Sequence, residues 1–405
     1  MNLKLEDILN KLILLYAFFI PLSLDVMRTL AITIIILGFI YIKKSNIKFK
    51  KYIKSELLII VFASLIGILL ISLLWTDIDN LKFGFKYITR FWYVLPMFII
   101  FITLKKDYIP KVISFFLFGM MVSELLSYSV FFNLIHIKNV SPQDPSVFMH
   151  HTLYSVFLAF TVGILVDRIL SSDTLKHKLI YIFFSLTITA NLFINAGRTG
   201  QVIFIFVLIS VLLSKSHFNY KAILATLFIS TTVFYTAFLY SPNFQHRMQQ
   251  TIQSIKHISY NTPIGSRIGL DIIAKDIFIK NPILGVGAGD YLSKKAEVID
   301  TKYKSEDMHY VKSLVHYHNQ FAEFAVIAGI FGLLAYIMIW IAIMKIDIKD
   351  NHIKTIKYIL ITSFVLASLT DAMFHLNRPL SLFALFIGLI LAQKKYEQQE
   401  PIEAS

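Results

Sequence analysis

The chain contains no cysteine and few charges. Without a thiol there is no disulfide framework and no thiolate metal site, although that absence fits any cellular compartment. Only 16% of the 405 residues are Asp, Glu, Lys or Arg, against roughly 25% in soluble globular domains. This shortage excludes a soluble enzyme, a disordered chain and a nucleic-acid binder as first readings. Acid is scarcer than base: 25 Asp and Glu face 39 Lys and Arg, a formal charge of +14. In a soluble protein that balance would suggest a polyanionic partner. Here the position of the charges matters more than their sum. Strong internal repeats and low-complexity segments are also missing.

What fills the chain is apolar. Hydrophobic residues make up 56%, with 36 Phe and 20 Tyr, and the mean hydropathy is +0.67. A bilayer core is crossed by about 20 mostly apolar residues in a helix. Twelve runs of that kind are present, at 6–24, 26–42, 56–75, 88–104, 110–134, 151–170, 177–196, 199–214, 221–240, 319–344, 354–371 and 379–393. The expected fold is an all-α polytopic membrane protein with about twelve transmembrane helices. The first run lacks a small-residue cleavage site behind it and reads as a retained helix rather than a secretory signal.

Lys and Arg in short loops set the orientation. With a cytoplasmic N-terminus, the inner segments collect most of the basic residues, including the six Lys from Lys43 to Lys54, then Lys105, Lys106, Lys215, Lys345 and Lys394. The short outer loops hold Arg28, Lys82, Lys86, Arg90, Lys138, Arg198 and Arg378. Both termini are therefore expected in the cytoplasm. The organisation reads as helices over 1–240, a long outer connection over 241–318, and further helices with a cytoplasmic tail over 319–405. Within the connection, Ser266–Lys280 carries Ile268, Ile272, Ile273 and Ile277 at helical spacing and reads as an amphipathic helix. It is expected to lie in the headgroup plane with its apolar face down, as a lid. Asn281–Pro282 ends it, and a Gly-rich turn, Gly285 to Gly289, follows.

Ionisable residues near membrane depth are costly, so each is a functional candidate. The outward set comprises Arg198, Arg267, His316, His318, Asp371, His375 and Arg378, with Lys82, Lys86 and Arg90 spaced four apart on one helical face. Each has a plainer alternative. The Lys82–Arg90 face suits solvent or headgroups, Arg198 a snorkelling anchor, the histidines structural roles, and Asp371 a helix cap or an ion pair with Arg267 or Arg378. Glu323 follows His318 by five residues, a poor facing geometry on a helix. The glycine turn does not match a nucleotide-binding pattern. The acidic residues from Asp290 to Asp307 show no metal-ligand spacing, so no metal and no other cofactor is expected. Converging Arg side chains suit a diphosphate, because a guanidinium offers a planar bidentate fork. A neutral His beside them suits a general base near pH 7.

His318-Asn319, nine further residues and Gly329-Ile330-Phe331-Gly332 together resemble the H-[NSQ]-x9-G-x-x-[GTY] pattern of bacterial O-antigen ligases and related polysaccharide polymerases. Arg267 followed by Asn281-Pro282-Ile283-Leu284-Gly285-Val286-Gly287 resembles the outer-loop signature of the same superfamily. Gly197-Arg198-Thr199 resembles its other Arg position, although Val202 stands where an R-x3-L form has Leu. The turn from Leu369 to Pro379 is also similar. The resemblance implies a metal-independent glycosyltransferase of the membrane-embedded GT-C type in the bacterial inner membrane. Its donor would be a glycan on undecaprenyl diphosphate, and its acceptor a sugar hydroxyl of the lipid A core on the periplasmic side. It further implies that His318, Arg267 and Arg198 carry the chemistry. Lys82, Lys86, Arg90, His316, Asp371 and Arg378 would contact substrate. A polymerase using the same donor, and a lipid-linked glycan flippase, are the competing readings.

Overall fold

The computed structural model describes residues 2–48, 52, 56–215, 220–303 and 308–403. Lys50, Lys51 and Lys54 of the expected inner basic cluster, and Asp307, lie outside them. Every one of the twelve apolar runs folds as helix. In chain order these are α1 (Asn2–Phe19), α2 (Leu24–Lys44), α3 (Leu57–Ile71), α4 (Leu81–Thr89), α5 (Leu95–Thr103), α6 (Ile109–Phe131), α7 (His151–Ser171), α8 (Leu175–Ile194), α9 (Arg198–Lys215) and α10 (Tyr220–Tyr240). After them come α11 (Pro242–Lys256), α12 (Pro263–Lys280), α13 (Tyr291–Val298), α14 (His309–Ser313), α15 (Gln320–Met344), α16 (Asn351–Ser368) and α17 (Asn377–Glu403). The described residues form no strand, only an isolated bridge between Ser141 and Asp144. The protein is thus an all-α, multi-pass membrane protein.

Ten stretches of the described chain are long and apolar enough to cross a membrane. The two expected runs outside that set are α1 and α16. α1 carries Lys4, Glu6, Asp7 and Lys11, and α16 opens on Asn351, His352, Lys354 and Lys357. Both still pack into the bundle, α1 against α2 and α6, and α16 against α7 and α9. Burial sorts the helices. The α17 window is 83% buried and that of α10 only 11%, so α17 is the central post and α10 a peripheral, lipid-facing helix. Leu380 to Ala392 of α17 have essentially no exposed surface, and α17 packs along α5 and against the Arg90–Val94 turn.

One helix is broken, and the break explains two of the motifs. In α15, Ala328 and Gly329 leave helical geometry, with Gly329 at φ +60° and ψ −148°. At membrane depth, backbone groups released by a break need partners within the protein. The glycine turn provides them. Val286 and Gly287 donate their N–H groups to the carbonyls of Val326 and Ile327 at 2.9 Å each, and Ile330 donates to the carbonyl of Pro282 at 2.8 Å. Approach this close leaves no room for side chains. A Cβ on Gly285 would sit 2.5 Å from the Ile327 carbonyl, and one on Gly329 would sit 2.3 Å from the Ile283 oxygen. The Asn-Pro…Gly-Val-Gly run and the Gly of the His motif are therefore two sides of one backbone junction. The glycines serve that contact.

α12 also departs from expectation. Leu270, Ile273 and Ile277 are buried, and the helix packs on α15, so its apolar face meets protein rather than the headgroup plane. In α11 apolar side chains are left bare, with Ile252 47% and Ile255 64% exposed.

Candidate functional site

Helices α7, α9, α15 and α17 begin, and α16 ends, around one cavity of about 480 Å³. Its walls include Arg198, Arg247, Arg267, His316, His318 and Asp371. Helix N-termini present free N–H groups and positive dipole ends, which favour anions. Here three guanidinium groups add to them.

Arg198 opens α9 on a turn that only small residues permit. A Cβ on Gly197 would lie 2.3 Å from the His151 carbonyl oxygen, and one on Gly200 would lie 2.1 Å from that of Ser155. The turn is therefore pressed against the start of α7, where Gly200 donates its N–H to Ser155 Oγ at 3.1 Å. Thr199 Oγ1 meets Thr370 Oγ1 at 3.0 Å. Arg198 Nη1 donates to Thr251 Oγ1 of α11 at 2.6 Å. Arg267 projects from the first turns of α12, capped by Thr262, and its Nε donates to the Thr370 carbonyl at 3.0 Å. Thr370 thereby ties Arg267 to the turn that carries Arg198. Burial lowers the Arg267 pKa, and the Asp371 charge opposes that effect. A guanidinium stays protonated through such a shift.

His318 stands at φ +49°, a left-handed conformation that a residue with a Cβ adopts at a cost of order 1–3 kcal/mol. The strain is held from both sides. Asn319 caps α15, its Oδ1 accepting from the N–H groups of Phe321 at 3.1 Å and Ala322 at 3.2 Å. Its Nδ2 donates to Asp271 Oδ1 at 3.1 Å. On the other side the His318 N–H donates to His316 Nδ1 at 3.3 Å. The two imidazoles lie with centroids 4.0 Å apart. Asp371 Oδ1 is 3.4 Å from His318 Nδ1 and 3.7 Å from His316 Nδ1. Burial, reinforced by the neighbouring His318 ring, pushes His316 down to about 4, so it is neutral at physiological pH and its Nδ1 lone pair is free to accept. Burial would raise Asp371, but the adjacent His318 and His316 rings outweigh that and hold its carboxyl below the usual range. The result is an ionised carboxylate 3.4 Å from His318 Nδ1, which has no hydrogen-bond partner in this geometry; closing that gap fixes the tautomer and leaves the other ring nitrogen as acceptor.

The ligand atoms of His316, His318 and Asp371 lie within 4.8 Å of one another, a spacing that could hold a metal ion. The electrostatics oppose one. Arg198, Arg247 and Arg267 line the same cavity, where Asp371 is the one carboxylate among the lining residues.

The other sequence candidates stand elsewhere. Lys82 and Lys86 lie on the exposed face of α4, whose Gly84, Tyr87 and Ile88 turn inward, and neither lines the cavity. Arg90 donates from Nη1 to the His375 carbonyl at 3.4 Å. Arg378 is buried and donates to the Phe148 carbonyl, anchoring the 132–150 loop rather than facing the cavity. Glu323 does not serve His318. It is fully buried and binds His375 Nδ1 at 3.2 Å, Tyr87 Oη at 2.9 Å and the Tyr317 N–H at 3.2 Å.

The sequence reading missed His150, His151, Arg247 and Tyr310, all cavity-lining. His151 is paired with Asp144 at 2.7 Å. The dipeptide His150-His151 at the mouth of a span was a visible signal. Arg247, set in a Gln-rich stretch of the long connection, had none.

Residues 183–337 match the family model described as O-antigen ligase. The matched region contains Arg198, Arg247, Arg267, His316 and His318 and stops short of Asp371. No curated protein matches the chain.

Proposed function

We propose that this chain, a member of the O-antigen ligase superfamily, transfers a glycan from undecaprenyl diphosphate to a sugar hydroxyl of the lipid A core. The reaction takes place at the periplasmic face of a bacterial inner membrane, with both termini in the cytoplasm. The observation that carries this reading is the convergence of Arg198, Arg267 and the Asp371-backed His318 on one cavity. Acid–base catalyst and anion site then lie within reach of one substrate.

In the proposed step the acceptor oxygen attacks the anomeric carbon. Its proton passes to Nε2 of His318, the ring nitrogen turned away from Asp371. The bond between the anomeric carbon and the phosphate oxygen breaks, and the electron pair leaves with undecaprenyl diphosphate. Arg198 and Arg267 meet the charge that grows on that leaving group, which is stabilisation by preorganised cations. The energy is already in the donor, so neither ATP nor a metal enters the step. A general base contributes roughly 10²–10⁴-fold in rate.

The test is a His318→Asn variant, which keeps a polar side chain that tolerates left-handed backbone. We expect capped lipopolysaccharide to disappear from gels while the purified protein keeps its melting temperature within a few degrees. Loss of all caps, single-repeat caps included, identifies a ligase. Loss of long chains with one repeat retained identifies a polymerase. Normal capping by the variant rejects the base.

A further inference from the structure

A second cavity of about 700 Å³ adjoins the first and shares Arg198, Arg247 and Pro263 with it. Its remaining wall is polar: Gln250, Gln253 and Ser254 from α11, with Lys256 and His257 at the end of that helix. Arg247, Gln250, Ser254 and His257 recur at helical spacing and so share one face of α11, while Ile252 and Ile255 on the other side are exposed. A helix with that division rests on a bilayer surface, apolar side in the lipid. The polar cavity therefore opens at headgroup depth.

The charge in this region is uncompensated. No Asp or Glu occurs anywhere from 174 to 270. Arg247 has Gln250 Oε1 at 3.3 Å as its side-chain partner, and no described carboxylate pairs with it. Arg198 lies within electrostatic reach of both Arg247 and Arg267. Arg267, in turn, feels Asp371 and Tyr310. Arg198 is thus the middle member of a row whose one end is next to the His318–Asp371 pair and whose other end faces the polar cavity and the lipid-facing helix. Three guanidinium groups held together with Asp371 as the one carboxylate lining their cavity repel one another, and a dianion or trianion lying along the row relieves it.

Resting on the ligase reading above, we infer that Arg247 is a third arginine of the donor site and sets the direction in which the donor lies. The sugar-side phosphate sits between Arg267 and Arg198, next to His318. The lipid-side phosphate sits between Arg198 and Arg247, and the prenyl chain leaves past α11 into the bilayer. Arg247 is then a substrate-binding residue that counts phosphates. A monophosphate occupies the inner pair alone, and only a diphosphate reaches the third position.

The experiment uses full-length protein in lipid nanodiscs, titrated with farnesyl diphosphate and with farnesyl monophosphate. We expect the wild type to prefer the diphosphate, and Arg247→Gln to weaken diphosphate binding about tenfold, the scale of one lost charge-assisted contact. Monophosphate binding should stay within twofold. Arg198→Gln should weaken both. In turnover, Arg247→Gln should raise KM and leave kcat within about threefold. A preference for the diphosphate that survives in Arg247→Gln overturns this inference and leaves the ligase reading standing. Equal loss of both ligands in Arg247→Gln overturns it as well, since the residue would then belong to the inner site. A wild type that binds neither lipid overturns both the inference and the donor assignment beneath it.

Discussion

At the scale of single residues, the site rests on one neutral imidazole holding another in place. His316 accepts the His318 backbone N–H only while its own Nδ1 is unprotonated. Its folded pKa of about 4 lies below the unfolded value near 6.5. Between those values the unfolded chain binds the extra proton, so stability rises with pH across the window and falls on acidification from about 6.5 toward 4. His316→Gln removes that titration. Melting curves taken every half pH unit should show a shallower acid-side decline in the variant than in the wild type. Identical slopes would mean that His316 is not the group responsible. The His316–His318–Asp371 cluster invites a second check at the same scale. With three arginines opposing a cation, glycan transfer should keep its rate, within twofold, after dialysis against a chelator. A collapse restored by a divalent ion would reassign the cluster as a metal site.

At the scale of elements, the break in α15 is the least expected feature and the easiest to perturb. Gly329→Ala places a methyl group 2.3 Å from the Ile283 oxygen on a backbone at φ +60°, so it should lower the melting temperature by several degrees or prevent folding. Gly67→Ala in α3 meets nothing within 4 Å and removes a flexible residue from a helix, so a neutral or slightly stabilising outcome is expected. Similar melting temperatures for the two variants would contradict the junction. This contrast also shows what was legible in the sequence. Each of the twelve apolar runs folded as helix, ten of them long and apolar enough to cross a membrane, because that signal is carried by each segment alone. Arg198, Arg267, His318 and Asp371 stood out because charge is rare near spans and gathers at their ends. The break was hidden because Gly329 sits within an unbroken apolar run, where a glycine also serves close helix packing. The Glu323–His375 pair was hidden because its partners are 52 positions apart. The packing of α12 was missed for a related reason. Periodicity reports that a helix has an apolar face, not whether protein or lipid covers it.

At the scale of the whole molecule, the two ends of the bundle differ. The cavity end carries the arginine row. The opposite end is pinned by Asp167 of α7, which meets Lys215 of α9 at 2.7 Å and His352 of α16 at 2.7 Å, closing three helices around one buried carboxylate. The proposed orientation makes the first end external, and the cysteine-free chain allows a direct check. In intact spheroplasts, His257→Cys should react with a membrane-impermeant maleimide, whereas Lys349→Cys should react only after permeabilisation. The reverse pattern would invert the topology. The hydrogen bonds from Val286 and Gly287 to α15 bear on how such a molecule is made. The glycine turn and the helix that it completes are neighbours in the chain, so the turn has already emerged from the insertion machinery when α15 arrives and can join it during synthesis. A nick or a long insertion between them would leave two carbonyls facing hydrocarbon, so biogenesis rather than chemistry sets how short that link must remain.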